Sequence, residues 1–477
     1  MKKNLLIIIL FSFSISTFAQ EESKDYSDAI KIIEAWLDAQ KDYEKLPGIT
    51  ASIVSDQELI WSGAFGMANI EGRIKADPKT LCSICSISKL FTSVAIMKLY
   101  DEGKLRLDDN IEDVLPWYNL EQQYKGSGPI TIRTLLSHSS GLPSENTFSH
   151  WNGPIYNFPT KEEIKAELAS QQTLYPASTY FQYSNLALTL LGYVVEEVSG
   201  ENFEDYIKIN ILSKLELDNT RPTMPESLHG TELAIGYSPL SREGERKEVG
   251  FFQANGVQAA AGFSSNVEDL GKFASWQFRL RDTTIAEILN PATLKNMHNV
   301  HWTNSDWKVT WGLGFHVWKG EGGNKWVGHS GHCPGYKTSL ALNLKEKMAY
   351  TVMINGGGVS PGKYIKGMHA IINKVKPVKK DSVEKMEHDL VQYTGSYEID
   401  MNEYYVATWE GKLALFSLPS ASPAESMQLY KHIEGDKFQR IREDGNLGEV
   451  LSFERDEPGK IVLMKEQDNY ILTKVER

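Results

Sequence analysis

Ser86-Ile87-Ser88-Lys89-Leu90-Phe91-Thr92-Ser93-Val94-Ala95-Ile96-Met97-Lys98-Leu99-Tyr100-Asp101-Glu102-Gly103 reads as one helix stopped by a glycine. Leu90, Phe91, Val94, Ala95, Ile96 and Met97 leave it almost no polar face, so it belongs inside a core. Gly103 stands just past its end, where a left-handed residue commonly closes a helix. Ser86 and Lys89 lie three residues apart, nearly one turn, and share a face. Burial lowers a lysine's pKa, and an amine beside a serine hydroxyl can help move its proton. The helix N-terminus adds partial positive charge where an oxyanion would form. The same spacing recurs at Ser305…Lys308, Ser360…Lys363 and Ser382…Lys385. Those serines sit in polar surroundings, a loop and a charged stretch, and only Ser86 is expected to open a buried helix.

Tyr183-Ser184-Asn185 precedes a second apolar helix, Leu186 to Val198, ended by Gly200. A tyrosine near a lysine can lose its proton more easily and serve as general base. The Asn185 amide can hold a substrate carbonyl. A buried tyrosine beside a helix cap is the plainer reading of the same residues. Gly328-His329-Ser330-Gly331 then closes a strand-like run and continues as His332-Cys333-Pro334-Gly335. Glycine there lets a ligand approach the backbone. As a nucleophile elbow G-x-S-x-G it fails, because its fifth place is His332.

These three motifs, in this order, resemble the serine β-lactamase and penicillin-binding protein superfamily. The likeness points to its class C β-lactamase-like branch of esterases and D-aminopeptidases. It covers about Leu46 to Asn355 and includes Leu46-Pro47-Gly48-Ile49, Thr131-Ile132-Arg133-Thr134-Leu135-Leu136-Ser137-His138-Ser139-Ser140-Gly141-Leu142-Pro143 and Ala261-Gly262-Phe263-Ser264-Ser265. The resemblance implies Ser86 as nucleophile, Lys89 as its activator and Tyr183 as general base. It also implies substrate contacts from Asn185, His329, Ser330 and Gly331, and an oxyanion hole from the Ser86 and His332 backbone N–H groups. Two departures stand out. The family's K-T-G is His329-Ser330-Gly331, and His332 replaces a small residue. A histidine of ordinary pKa, about 6.5, is mostly neutral at pH 7, so an uncharged ester or amide is expected to suit the site better than a carboxylate-bearing β-lactam. The reading is an exported serine hydrolase acting through a Ser86 acyl-enzyme on an ester or amide, including D-amino-acid or peptide-like ones. Its alternatives are a class C-type β-lactamase, or a penicillin-binding receptor or D,D-peptidase that acylates with little turnover. The implied fold is α+β: an antiparallel sheet flanked by helices, with a helical subdomain. No metal or organic cofactor is needed for this chemistry.

Outward from the motifs, the 477 residues are 41% hydrophobic and 23% charged, a globular composition. The 50 Lys and Arg against 62 Asp and Glu leave a net charge of −12, which disfavours nucleic acid and anionic lipid as partners. The expected partner is a small-molecule or peptide-like substrate, peptidoglycan-derived fragments among them, with no integral membrane partner. Lys2 and Lys3, the apolar run Leu5 to Phe13 and Thr17-Phe18-Ala19 form a secretory signal over 1–19, so a periplasmic or secreted location is expected. The hydrolase domain is then 20–374, a charged linker 375–389, and a C-terminal β-domain 390–477. In that last part roughly eight short strands alternate with turns such as Glu443-Asp444-Gly445-Asn446, which suits a small antiparallel barrel or sandwich. Cutting near Lys380 is expected to leave a folded hydrolase domain.

Three other patterns are weighed and set aside. Gly357-Gly358-Val359-Ser360-Pro361-Gly362-Lys363 copies a phosphate loop, but Tyr364 stands where Ser or Thr would meet Mg²⁺. Cys82-Ser83-Ile84-Cys85 imitates a redox pair; two small buried thiols beside the nucleophile are expected instead, with their pairing open. His298…His301 and His329…His332 lack an acidic third ligand at diagnostic spacing. The pocket is expected to take its shape from the loops between Gly141 and Phe181 and from Arg221–Gly236.

Overall fold

The computed structural model describes residues 24–124, 126–377 and 388–476. The expected signal at 1–19 and most of the expected linker lie outside the described residues. Helix α1 (Ser27–Tyr43) leads into strands β1 (Gly48–Ser55) and β2 (Glu58–Asn69), and the later strands β3 (Lys325–Cys333), β4 (Tyr336–Asn343) and β5 (Met348–Ile354) join the same sheet. Among the described residues this sheet has nine strands, and its long ones run in the order β2-β1-β5-β4-β3. Every pairing among these five is antiparallel. β1 is buried over all but its last residue, because both its faces are covered. Ile49, Ala51 and Ile53 pack with α1 and with α5 (Pro361–Ile372). On the opposite face, Ser52 Oγ donates to the Val267 carbonyl, 2.9 Å away, at the start of α4 (Val267–Asp282).

The 86–103 stretch is buried as its pattern requires, but its first turn departs from expectation. The α-helix α2 starts at Ser88 and ends at Asp101, and Ser86 sits before it in one 3₁₀ turn, Cys85–Ile87. The cause is Cys85, whose φ of +52° lies in the left-handed region that an α-helix excludes. Ser88 clamps this turn: its hydroxyl donates to the Cys85 carbonyl at 2.6 Å and accepts the Phe263 N–H at 3.0 Å. Helix α3 (Asn185–Ser199) packs across α2. It begins at a Ser184 cap, whose side chain accepts the Ala187 N–H, and ends on Gly200 at φ +75°, the left-handed stop that glycine allows. None of the described helices is long and apolar enough to cross a membrane.

The C-terminal part resolves the barrel-or-sandwich alternative as a closed barrel of eight strands, from Gly395–Ile399 to Tyr470–Val475. Closure comes from Ser396 pairing with Val475. The barrel has a core of its own around Tyr393, Tyr397 and Phe438, and one of its faces joins a second cluster. Ala407, Trp409, Ala414, Phe416 and Leu418 share one apolar cluster with Ile32, Ile33 and Trp36 of α1 and with Tyr364 and Met368 of α5. Trp36 Nε1 donates to the Ser420 carbonyl at 2.9 Å, and Thr408 Oγ1 donates to Asp28 at 2.6 Å. Cutting the chain between the two parts would bare Trp36 and its apolar neighbours to water. A chain ending at Lys376 is expected to be insoluble or to melt well below the full-length protein. Soluble yield and thermal melts of the two chains check this, and an unchanged melt would show that the shared cluster adds nothing.

Candidate active site

The nucleophile turn and α2 put Lys89 beneath Ser86. Lys89 is fully buried, and its Nζ lies 3.0 Å from Ser86 Oγ, 2.6 Å from Asn185 Oδ1 and 2.8 Å from the Ala260 carbonyl. Burial pulls its pKa down to about 7, against a small opposing pull from the Glu145 carboxylate. A neutral amine has two N–H donors and one lone pair. With the donors spent on Asn185 and Ala260, the lone pair faces the Ser86 hydroxyl. This geometry is that of a general base.

Tyr183 stands on the other side of Ser86. Lys89 Nζ is 5.0 Å from the centre of its ring. Burial pushes the phenol well above its usual range, partly offset by a hydrogen bond with Ser86. The expectation that a neighbouring lysine would ease its ionisation therefore meets a larger opposing effect. Two histidines hold it. His138, fully buried, accepts the Ser184 N–H at Nδ1 over 3.1 Å and packs its ring 4.3 Å from that of Tyr183. His329 Nδ1 is 2.7 Å from the Ser330 carbonyl, which can only accept, so its Nε2 is the acceptor facing Tyr183 Oη at 3.5 Å. Burial, with the Lys89 charge added, pushes His329 down to about 3, so it is neutral.

Strand β3 carries His329, Ser330, Gly331 and His332 past the nucleophile turn. Gly331 has no room for a side chain: a Cβ there would lie 2.2 Å from Thr338 Oγ1 and 2.4 Å from the Ile84 carbonyl. The close approach is reinforced covalently. Cys85, expected as a buried thiol beside Cys82, is instead joined to Cys333 with their Cα atoms 5.6 Å apart, and Cys82 is the free buried thiol. The bridge ties the residue before Ser86 to the residue after His332. Ser86 and His332 are the two residues whose backbone N–H groups are expected to form the oxyanion hole. No sequence spacing signals a pair 248 residues apart.

Ser86, Tyr183, Asn185, His329, Ser330, Gly331 and His332 line one open cavity of about 800 Å³. Lys89 lies below its floor. The remaining wall is not where it was expected: the 141–181 and 221–236 stretches contribute nothing among the described residues. Trp311, His316, Lys337 and Gly358–Pro361 do, so the phosphate-loop lookalike is a rim of the pocket. Lys337 pairs with His332 across the turn joining β3 to β4, a position that the short Pro334-Gly335 turn made readable. It supplies a cation that His329 does not, which weakens the expectation of a site suited to uncharged substrates. Among the described residues, no group of three or more His, Cys, Asp or Glu could hold a metal ion.

Residues 33–367 match the family described as Beta-lactamase. A protein of Escherichia coli K12 bearing the name of a D-alanyl-D-alanine carboxypeptidase is 25% identical over 66% of this chain and 81% of its own length. The protein named flp of Staphylococcus aureus N315 is 30% identical over 43% of this chain, which spans only 40% of that protein. Among solved structures, the octameric penicillin-binding protein homologue from Pyrococcus abyssi superposes with a TM-score of 0.64 at 26% identity. That alignment covers 93% of this chain and 100% of the homologue, so it includes the C-terminal barrel.

Proposed function

The chain belongs to the β-lactamase family, and from that premise we propose that it is a serine hydrolase cleaving an ester or amide bond through an acyl-enzyme on Ser86. The observation that carries this reading is Lys89: buried, held at two N–H positions, and 3.0 Å from Ser86 Oγ. Neutral Lys89 takes the Ser86 proton as Oγ attacks the substrate carbonyl. The backbone N–H groups of Ser86 and His332 receive the developing oxyanion. Tyr183, kept protonated by burial, gives its proton to the leaving group and regains one from the Lys89 ammonium. Lys89, neutral again, takes a proton from the water that attacks the ester, and Ser86 recovers it as the acyl group departs. Tyr183 thus acts as an acid in acylation rather than as the base that the resemblance implies. Asn185, His329, Ser330 and Gly331 bind the substrate along the cavity wall.

The substrate class is a small ester or a peptide-like amide, with peptides ending in D-alanyl-D-alanine included on the strength of the Escherichia coli relative's name. The signal-like first 19 residues support export to the periplasm or medium. Assaying purified protein on an acyl ester, a D-aminoacyl amide, a D-Ala-D-Ala peptide and a cephalosporin tests the reading. Steady turnover of at least one supports it. A single burst of product, stoichiometric with enzyme, would assign the chain to the acylating receptors instead.

A further inference from the structure

Behind Asn185, and outside the residues that line the cavity, one carboxylate faces the catalytic lysine. Glu145 Oε1 accepts the Nδ2 hydrogen of Asn185 and, at 3.0 Å, the indole N–H of Trp151. The loop carrying it is seated on the start of α3: the Asn185 N–H donates to the Ser144 carbonyl at 2.7 Å. That helix end favours a negative charge. Glu145 Oε2 is buried with no hydrogen-bond partner among the described residues. His150 Nε2 lies 3.5 Å from it.

The consequence follows from the chemistry of an amide. Asn185 has one accepting end and one donating end. If Nδ2 is spent on Glu145, Oδ1 must point at Lys89, where it accepts an N–H at 2.6 Å. With the amide reversed, Nδ2 would face the ammonium or amine donors of Lys89, and the lysine would turn to find another acceptor. Its lone pair would then leave the Ser86 hydroxyl.

We propose that Glu145 is a positioning residue for the reaction: it fixes the Asn185 amide, and through it aims Lys89 at Ser86. This rests on the Ser86 acyl-enzyme reading and extends it by one residue that the three motifs do not contain. Burial is the main influence on the Lys89 pKa, and the carboxylate opposes it by stabilising the protonated form, so it raises the pH at which the base becomes available. Tyr183, His138 and His329 face the same lysine, and Tyr183 and His150 also feel Glu145 itself. All four are left in place by the variants that follow.

The test uses the full chain and the rate of labelling by a neutral fluorophosphonate from pH 5 to 9. Glu145→Ala is expected to slow labelling about ten- to hundredfold, the scale of a misaligned catalytic group. Asn185→Ala should lose a similar factor, and the double variant should be no slower than Asn185→Ala alone, because both act through one amide. Glu145→Gln keeps an acceptor for Asn185 but removes the charge. It should recover most of the rate and move the acid limb of the profile to lower pH than in the wild type. Losses that multiply in the double variant, or a Glu145→Gln profile with an unmoved limb, would overturn the inference. If Glu145→Ala does not fold, the Gln profile alone decides. A Ser86→Ala control labelled at the wild-type rate would instead overturn the acyl-enzyme reading beneath it.

Discussion

Replacing Ser86 by alanine is expected to lower turnover of whichever ester or amide the protein cleaves by on the order of 10⁴- to 10⁶-fold, the loss seen when a serine nucleophile is removed. The fold should survive. Ser86 is half-buried at the cavity floor, and its hydroxyl meets Lys89 and Tyr183, both of which keep other partners. Alanine therefore removes the attacking atom while leaving the backbone N–H of residue 86 in place. A far-ultraviolet spectrum and melt matching the wild type, with turnover at background, is the expected pair of results. Residual turnover above about a hundredth of wild type would place the nucleophile elsewhere.

Lys89→Met carries the second large effect, in two directions. Methionine has nearly the same length, no proton affinity and no polar group to bury. Without the base, acylation is expected to slow about 10³- to 10⁴-fold. The wild type should show an acid limb near pH 7, since its Lys89 is half neutral there and only the neutral form can accept the Ser86 proton. Activity rises as pH rises through that value, and the Met variant should have no such limb. Stability should move the other way. The folded pKa of Lys89 lies below that of an unfolded lysine, so unfolding takes up a proton between about pH 7 and 10.5. The native state is penalised progressively as pH falls through that window, and by the full amount below it. Lys89→Met removes the penalty, and its melting temperature at pH 6 should exceed that of the wild type. A variant that is both inactive and less stable would mean that the hydrogen bonds Lys89 gives to Asn185 and Ala260 outweigh the cost of burying its charge.

Features set by local pattern are legible in the sequence. The nearly all-round apolar surface of Leu90–Met97, interrupted only by Thr92 and Ser93, announces a buried helix, and Ser86 and Lys89 come with it because three residues of chain fix their separation. The 3₁₀ start does not, because nothing in Cys85 itself demands a positive φ; the cross-link to Cys333 and the Ser88 clamp accompany it. The eight strands after Leu390 are countable from their turns, but barrel closure depends on Ser396 meeting Val475, a pairing far apart in sequence. The shared cluster around Trp36 and Trp409 is hidden for the same reason. Glu145 is invisible because it lies on an irregular loop, where no periodicity relates it to Asn185. Tyr183 shows the limit most clearly. Its neighbour Lys89 is foreseeable, but the burial that outweighs that neighbour belongs to the folded chain alone.

The most direct test of the central claim is to stop the reaction after acylation and weigh the protein. Mixing the full chain with a slow-leaving acyl ester or a penicillin, quenching in acid and digesting should yield one peptide heavier by the acyl group. The adduct is expected on Ser86 in the wild type, to be absent from Ser86→Ala and to form far more slowly in Lys89→Met. An adduct at Ser330 or any other residue, or turnover with no covalent species in Lys89→Met and wild type alike, would contradict an acyl-enzyme on Ser86.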